Sequence, residues 1–554
     1  MGQLLTELTT DFRRGQVDDT AATRFPQDAL ALILNGRLYP DATVARRGGS
    51  IRLHTTALNS GAAGYGGTRF TTAAGVEQMI VLCGDKAYVS TDYGVNWTQI
   101  ATGLREDYYD FATMRVGAIN YLYAANGDTT IKTWDGATWS TLANAPSGVT
   151  NIEVFNGRLY ATGHSGVLVQ ASKIADPTTW SSPDGLTLQL LVASGGLPVG
   201  LFQTGPHLLV FSKEQVSYID GFGVETIIVA TGATGISRSV GCVAFRTIAA
   251  VGDAGCCWLS RRGVEYYVPG KPITLLSRGI TEYMGTIDFA ALANTPGRPT
   301  AVYDPQKEEY RLAISATGPR NDTIFRFSLR QQSKSFFGAP SVDKPVSLTG
   351  SIWFVGGSDG YLETSTSGYE PKADEAGYMT FSYSGLDGDP TAEDANGYLE
   401  TVTDDTLPVS FFIMPTASSP GAVHSVGHDG FVRVHGTGNK DDVLKDGTGG
   451  TDVSMKIVSR PFFFGAPRNI KKVRVAHVAS INYTAMDVEI GIRNTDGLGT
   501  LKTVTIPATS LTQAKRKRVI VSARGDAPQL ELRTTADVRI SLLGLSATVL
   551  KERV

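Results

Sequence analysis

The sequence predicts an all-β protein: a β-propeller of about six or seven blades, followed by a β-sandwich domain, with an N-terminal arm ahead of both. Three observations lead there. Between Leu208 and Ile280 the runs LLVFSKEQVSYIDGFG and GCVAFRTIAAVGDAGCCWLSRRGVEYYVPGKPITLLSRGI break into short stretches rich in Val, Ile, Phe, Tyr and Trp, each ended by Gly, Asp-Gly or Pro-Gly. Such stretches are antiparallel strands joined by tight turns. With 62 glycines and only 19 % charged residues, the composition favours many turns between aromatic-rich strands over long charged helices.

The third observation is a loose repeat from about Gly75 to Glu363, in which MIVLCGDKAYVSTDYGVNWTQI, NYLYAANGDTTIKTWDGATWSTL and IEVFNGRLYATGHSGVLVQASKIADPTTW follow one another. Each reads as strand, turn, strand and closing aromatic. Blades of four strands take about 40–50 residues, and roughly 290 residues divide into six or seven of them. Radial repetition buries both faces of each small sheet and leaves only short edges. A stack of sandwiches satisfies the same periodicity.

The elements follow in order. Residues 1–50 form a polar, Pro-punctuated arm with a helix expected at Gln27 to Leu34 and a turn that delivers Arg46, Arg47, Gly48 and Gly49 into a strand. An arm with so little core of its own is expected to dock on its own domain or on a neighbouring subunit. Residues 51–363 are the propeller. Within it, Leu209 and Phe211 share one face with Val216 and Tyr218, and Leu208 and Val210 take the other, so this strand is expected to be covered on both sides.

Residues 364–408 break the rhythm. Between Thr366 and Asp405 lie ten carboxylates and a single lysine, Lys372, and the peptide Gly-Tyr-Leu-Glu-Thr occurs at 360–364 and again at 397–401. This reads as a duplicated hairpin in an acidic inserted loop, and most acidic runs are simply solvated. Residues 409–554 return to alternating strands, including SMKIVSRPFFF, IKKVRVAHVAS, AMDVEIGIRN and VRISLLGLSATVL, enough for a sandwich of about seven or eight strands.

A formal charge of −3 over 554 residues argues against free, non-specific DNA binding by the chain as a whole. Cys83, Cys242, Cys256 and Cys257 show no CxxC or CxxH spacing and are expected to be buried thiols. The start MGQLLTELTTDFRRGQ lacks a basic region followed by an apolar one, and no window approaches the roughly 20 apolar residues of a membrane span. Synthesis in a reducing cytoplasm is expected.

Few constellations carry chemistry. Ser90 to Trp97 (STDYGVNW) resembles the Asp-box, a hairpin whose Asp92 carboxylate holds backbone amides while Trp97 packs beneath. It is structural in sialidases and other propellers, and the arginine cluster and Tyr–carboxylate set that a sialidase needs are not singled out by any spacing. His424, His428, Asp429 and His435 gather three of the seven histidines, but their spacing matches no standard metal site. Lys515, Arg516, Lys517 and Arg518 form the one dense basic run, read as a subunit contact or a solvated edge. Arg524-Gly525-Asp526 reads as a turn. Asp387-Gly388-Asp389 opens no calcium loop, because the position that should carry glutamate is Tyr398. There is no Walker motif, GxSxG, HExxH or dinucleotide fingerprint. No catalytic residue, cofactor or metal is therefore expected.

The order of phrases says more than any one motif. RRGG closes the arm; LLVFSKEQVSYIDG, VGCVAFRTIAAVGDAGCCWLSRRGVEYY, LLSRGI, AVYDPQKEEYRLAI and FRFSLRQQSKSFF follow; then come FVGGSDGYLET, TDDTLPVSFF and KKVRVAHV. This succession, over roughly residues 20–554, resembles the β-propeller tail proteins of tailed bacteriophages, the nozzle or tail-hub class of short-tailed phages. The long acidic insert departs from their usual pattern. The resemblance implies a non-enzymatic virion structural protein, assembled in the host bacterial cytoplasm, that forms a homohexameric ring below the portal and its adaptor. Genomic DNA would leave through the ring's opening without sequence-specific binding, and tail fibres or spikes would dock outside. A wall that holds no phosphates suits a channel for a polyanion, so part of the 366–405 segment is expected to face the lumen or the closed tip. A receptor-binding or glycan-degrading propeller, suggested by the Asp-box and by Trp97, Trp134 and Trp139 as exposed aromatics, competes with this reading, as does a non-viral scaffold.

Overall fold

The computed structural model describes residues 4–550, apart from residues 19–23, 40, 165–167, 182, 190–196, 206, 222–226, 231–239, 253–254, 290–291, 293–298, 315–320, 322, 330–338, 344–362, 365–381, 384–407, 417–418, 467–468, 482–484, 495–496 and 508–514. Among the described residues, six four-stranded antiparallel sheets, and a seventh run of four strands that opens a ten-stranded sheet, follow one another along the chain. Their innermost strands are Gly64–Thr71, Asp110–Val116, Asn151–Phe155, Pro198–Thr204, Ala249–Val251, Thr300–Asp304 and Pro408–Thr416, in blades 1 to 7. Each of these packs on the next, with the short turn Phe245–Thr247 standing between blades 4 and 5, and Pro408–Thr416 packs back on Gly64–Thr71. The ring is closed.

The blades are held by cores that lie between sheets, so both faces of a middle strand must be apolar. The strand His207–Ser212 shows this. Leu208 and Val210 join Phe155, Tyr160 and Val169 of blade 3, while Leu209 and Phe211 join Cys256 and Trp258 of blade 5. Leu209 stands opposite Tyr218 and Phe211 opposite Val216, the pairing that the alternation predicted. Each such fully buried side chain is worth roughly 1.5–3 kcal/mol.

Blade 7 redraws the expected boundaries. Its strands Pro408–Thr416, Ser419–Gly427 and Val432–Thr437 were expected in the terminal sandwich, yet they pair in order and end on Gly49–Arg52 from the start of the chain. Alternation alone does not separate a blade strand from a sandwich strand, and the acidic insert hides the continuity of the repeat.

The first fifty residues likewise supply strands. Leu4–Thr9, Gly36–Leu38 and Val44–Arg46 join Lys471–Ile481, Lys515–Gly525 and Arg539–Val549 in one sheet. Leu30–Leu34 pairs with Met455–Ser459, followed by Gln529–Thr534 and Met486–Asn494, in the other. The helix expected at Gln27 to Leu34 is thus a strand: LALIL is a short continuous apolar run, which periodicity assigns to either state. Between the two sheets lies a core that includes Phe12, Ile33, Ile457, Phe462, Val478, Ile490, Leu532 and Leu543.

Sandwich and propeller are joined. Leu34 pairs in parallel with Val342 of the outer strand of blade 6, and Arg37 reaches across to the buried Glu309 carboxylate of the same blade.

Candidate functional site

The innermost strands converge on the propeller axis, where bulk is rationed by glycine. A Cβ on Gly66 would sit 2.9 Å from the Phe111 ring, and one on Gly200 would sit 2.7 Å from Ile248 Cδ1, so the strands of blades 1 and 4 come close to their neighbours only because these side chains are missing. A cavity of about 370 Å³ remains between blades 1 to 6. Its polar wall includes Asp110, Asn151, Glu153 and Arg246, and its apolar wall includes Phe111 and Phe202.

An inner strand has one edge with no fifth strand to bond, and its N–H groups need acceptors. Two carboxylates supply them across the blade boundary. Asp110 Oδ2 of blade 2 accepts from the Ile152 N–H of blade 3 at 3.0 Å, and from Asn151 Nδ2 at 3.4 Å. Glu153 Oε2 of blade 3 accepts from the Gln203 N–H of blade 4 at 3.4 Å, and its Oε1 accepts from Val154 N–H at 2.9 Å.

Burial sets the electrostatics of this wall. It pushes the Asp110 carboxyl up to about 6, against the pull of the Ile152 N–H and the Arg246 guanidinium. It pushes Glu153 up to about 7, with the negative charge of Asp110 adding to the rise. Arg246 is lowered to about 10 by the same burial, opposed by Tyr108 and Asp110, and its guanidinium lies 5.1 Å from the Tyr108 ring centre. None of Asp110, Glu153 and Arg246 stands in a sequence motif. Asp110 heads its inner strand, Glu153 stands in the middle of Asn151–Phe155, and Arg246 lies in the turn Phe245–Thr247, so no shared position marks them as a set in the sequence.

The Asp-box folds as its residues dictate. Asp92 Oδ1 accepts from the Val95 and Asn96 N–H groups at 3.2 and 2.9 Å, Gly94 N–H donates to Ser90 Oγ at 2.9 Å, and Trp97 Nε1 donates to the Gly94 carbonyl at 2.9 Å. It joins the two outer strands of blade 1, Lys86–Ser90 and Thr98–Ala101, far along the blade from the axial strand. Blades 2 and 3 carry degenerate versions. Asp135 Oδ1 accepts from Ala137 and Thr138 N–H at 2.8 and 2.7 Å, and Asp176 Oδ1 accepts from Thr178 N–H at 3.0 Å while Trp180 Nε1 donates to Pro177 O at 2.7 Å. Of the aromatics expected to be exposed, Trp134 is buried and donates from Nε1 to Gln78 Oε1 at 2.8 Å, while Trp97 and Trp139 are half-buried. Trp134 closes a hairpin against blade 1, which an apolar run does not reveal in advance.

The histidine group is not gathered at one point. His424 stands opposite Val434 and Ser425 opposite Arg433, so His424 and His435 project from opposite faces of blade 7. His424 Nδ1 meets the Ala422 carbonyl at 2.9 Å, and His435 Nε2 meets Ser425 Oγ at 2.7 Å. Burial holds His424 down to about 4 and His435 well below the ordinary imidazole value. Asp429 is occupied by the buried Arg433, whose Nη1 donates to it at 2.9 Å. Among the described residues no three His, Cys, Asp or Glu side chains are placed to hold a metal ion.

Arg516, Lys517 and Arg518 are exposed on Lys515–Gly525, the edge strand of the first sandwich sheet. Arg516 Nη2 donates to His477 Nδ1 at 3.0 Å, which leaves His477 Nε2–H to donate to Ser546 Oγ at 2.6 Å. Arg524-Gly525-Asp526 closes that strand and enters a bend. All four cysteines are buried free thiols. Apart from Ser382 and Tyr383, the acidic 366–405 segment, with Asp387, Asp389 and Tyr398, lies outside the described residues, as do most of the two Gly-Tyr-Leu-Glu-Thr copies.

No protein-family profile matches the chain, and no curated protein matches it. Among solved structures it is similar to a chain of the mitotic checkpoint complex, at 10 % identity over 69 % of this chain and 90 % of that one with a TM-score of 0.38. It is also similar to the N-terminal domain of Nup159, at 11 % identity over 74 % and 99 % with a TM-score of 0.36. A chain of the nidogen–laminin complex matches at 14 % identity over 37 % and 75 %, with a TM-score of 0.26. These likenesses are loose, and the ring of strand-paired blades decides the fold. This is a β-propeller protein. No described helix is long and apolar enough to cross a membrane.

Proposed function

We propose that the propeller protein is a structural part of a bacteriophage virion, forming a homohexameric ring of the tail nozzle or hub below the portal and adaptor, with a docking surface for fibres or spikes. The observation that carries this reading is the way the first fifty or so residues are built into both domains: Gly49–Arg52 closes blade 7, and Leu4–Arg46 supplies strands to both sandwich sheets. A disc and a sandwich fastened in this way form a stiff block with loops facing several directions, suited to fitting against copies of itself.

The ordered succession of phrases from RRGG to KKVRVAHV supports the phage tail in particular. The axial cavity of about 370 Å³ has room for a small molecule and not for a nucleic acid duplex. Genomic DNA would therefore pass between copies, through the opening of the ring, and not through any one propeller. The Asp-box adds nothing to the glycan-degrading alternative, because it braces the outer hairpin of blade 1.

Mass photometry of the purified chain, alone and with a portal and adaptor, tests the assembly, and cryo-EM of the particle tests the path of the DNA. A hexamer-sized particle with a central opening is expected. A monomer or trimer that releases sugar from a host polysaccharide would overturn the reading.

A further inference from the structure

We propose that the axial cavity of the propeller binds a small organic ammonium ion, with the Glu153 carboxylate as its counter-ion and Asp110 beside it. The argument starts from a charge count. Four charged side chains line the cavity: Arg69, Asp110, Glu153 and Arg246. Arg69 is taken by Glu77, its Nη2 donating to Oε1 at 2.7 Å. Arg246 lies over Tyr108 and acts on Asp110. Glu153 faces no cation among the described residues; its two oxygens accept one backbone N–H each, and the one charge acting on it is the negative charge of Asp110.

A carboxylate held partly out of water with no cation beside it is costly. It either takes up a proton or recruits a positive ligand. An ionised carboxylate offers about four lone-pair sites, so two backbone bonds leave Glu153 able to accept from an ammonium group. Phe111, Phe202 and Phe245 also line the cavity and offer apolar surface for the alkyl stem of such a ligand. The volume lies within the range of small-ligand cavities.

The test is isothermal titration of the full chain with n-butylammonium and with 1,4-diaminobutane. At pH 8 one site per chain is expected. At pH 5 the affinity should fall about tenfold or more, because ligand and proton compete for the same carboxylates. Glu153→Gln keeps an amide oxygen for the Gln203 N–H and removes the charge; it should weaken binding about tenfold or more, comparable to the loss of a charge-assisted contact. Asp110→Asn should weaken it less. A thermal melt of each variant establishes that the ring is intact. Absence of binding by the wild-type chain, affinity unchanged in Glu153→Gln, or uptake of a neutral hexose in place of the amines would overturn the proposal. None of these outcomes bears on whether the chain forms a hexamer.

Discussion

Arg433 donates from Nε to Asp442 Oδ1 at 2.7 Å, with both side chains only 1 % exposed. The same carboxylate accepts from Arg52 Nε at 2.6 Å. Arg52 lies in the strand Gly49–Arg52 and Arg433 in its neighbour Val432–Thr437, so one aspartate clamps the N-terminal strand into the last blade. Asp442→Ala would leave two guanidinium groups with only Asp429 for charge partner. A loss of about 3–5 kcal/mol is expected, as for removing one partner of a buried ion pair. Urea denaturation followed by tryptophan fluorescence measures it, and a loss below about 1 kcal/mol would show that the clamp is ornamental.

The neighbouring glycine is a second point of failure. A Cβ on Gly49 would lie 1.7 Å from the Lys440 carbonyl oxygen, a backbone atom with no rotamer to retreat to. Gly49→Ala should cost about 1–3 kcal/mol or more and open blade 7 to protease. Limited trypsinolysis should then cut near Arg52 and Arg433, whereas the wild-type chain resists at both.

The raised carboxyl of Glu153 has a signed consequence for stability. Its value moves from about 4.5 in the unfolded chain to about 7 in the ring, so the folded state holds the proton more tightly. Stability from this group is present below pH ~4.5 and is lost as pH rises through about 7. Glu153→Gln should remove that loss. Melting temperatures of variant and wild type, compared at pH 5 and pH 8, should diverge in favour of the variant at the higher pH, and parallel curves would refute it.

Buried neutral histidine works in the opposite direction. His424 is held down to about 4, so its contribution is intact above pH ~6.5 and is lost as pH falls toward 4. His424→Gln should flatten the acid limb of the stability profile between those values. The curve of variant minus wild type against pH reads this apart from any fixed cost of the substitution.

The four thiols should be silent in the native protein. Burial pushes Cys83 and Cys242 up to about 12 and raises Cys256 and Cys257 as well, so neither thiolate nor access is available. A chromogenic disulfide reagent should titrate none within minutes at pH 8 and all four in guanidinium. A fast-reacting thiol in the folded chain would contradict this.

How far the letters reach can be judged from particular residues. Leu208 to Tyr218 carried its strands, its turn and the face of each side chain, because two-sided burial writes itself as period-two apolar pairs. RRGG announced the turn into the closing strand but not its destination, since strand partners 385 residues apart, such as Ser50 and His435, leave no local trace. The Asp-box at Asp92 was legible, whereas its echoes at Asp135 and Asp176 keep the hydrogen bonds and lose the letters. Asp110, Glu153 and Arg246 were invisible as a group because convergence on an axis is a property of the closed ring, and a single charge on a strand or in a turn reads as ordinary solvation.

Closure by the two chain ends also orders events on the ribosome. Gly49–Arg52 emerges early and has no partner until Val432–Thr437 has been made, and Leu4–Thr9 waits for Arg539–Val549. At about 5–20 residues per second, tens of seconds of translation separate each strand from its mate. The nascent chain must therefore carry two unsatisfied edges while the intervening residues are made, and its final shape is reached only once Arg539–Val549 has followed.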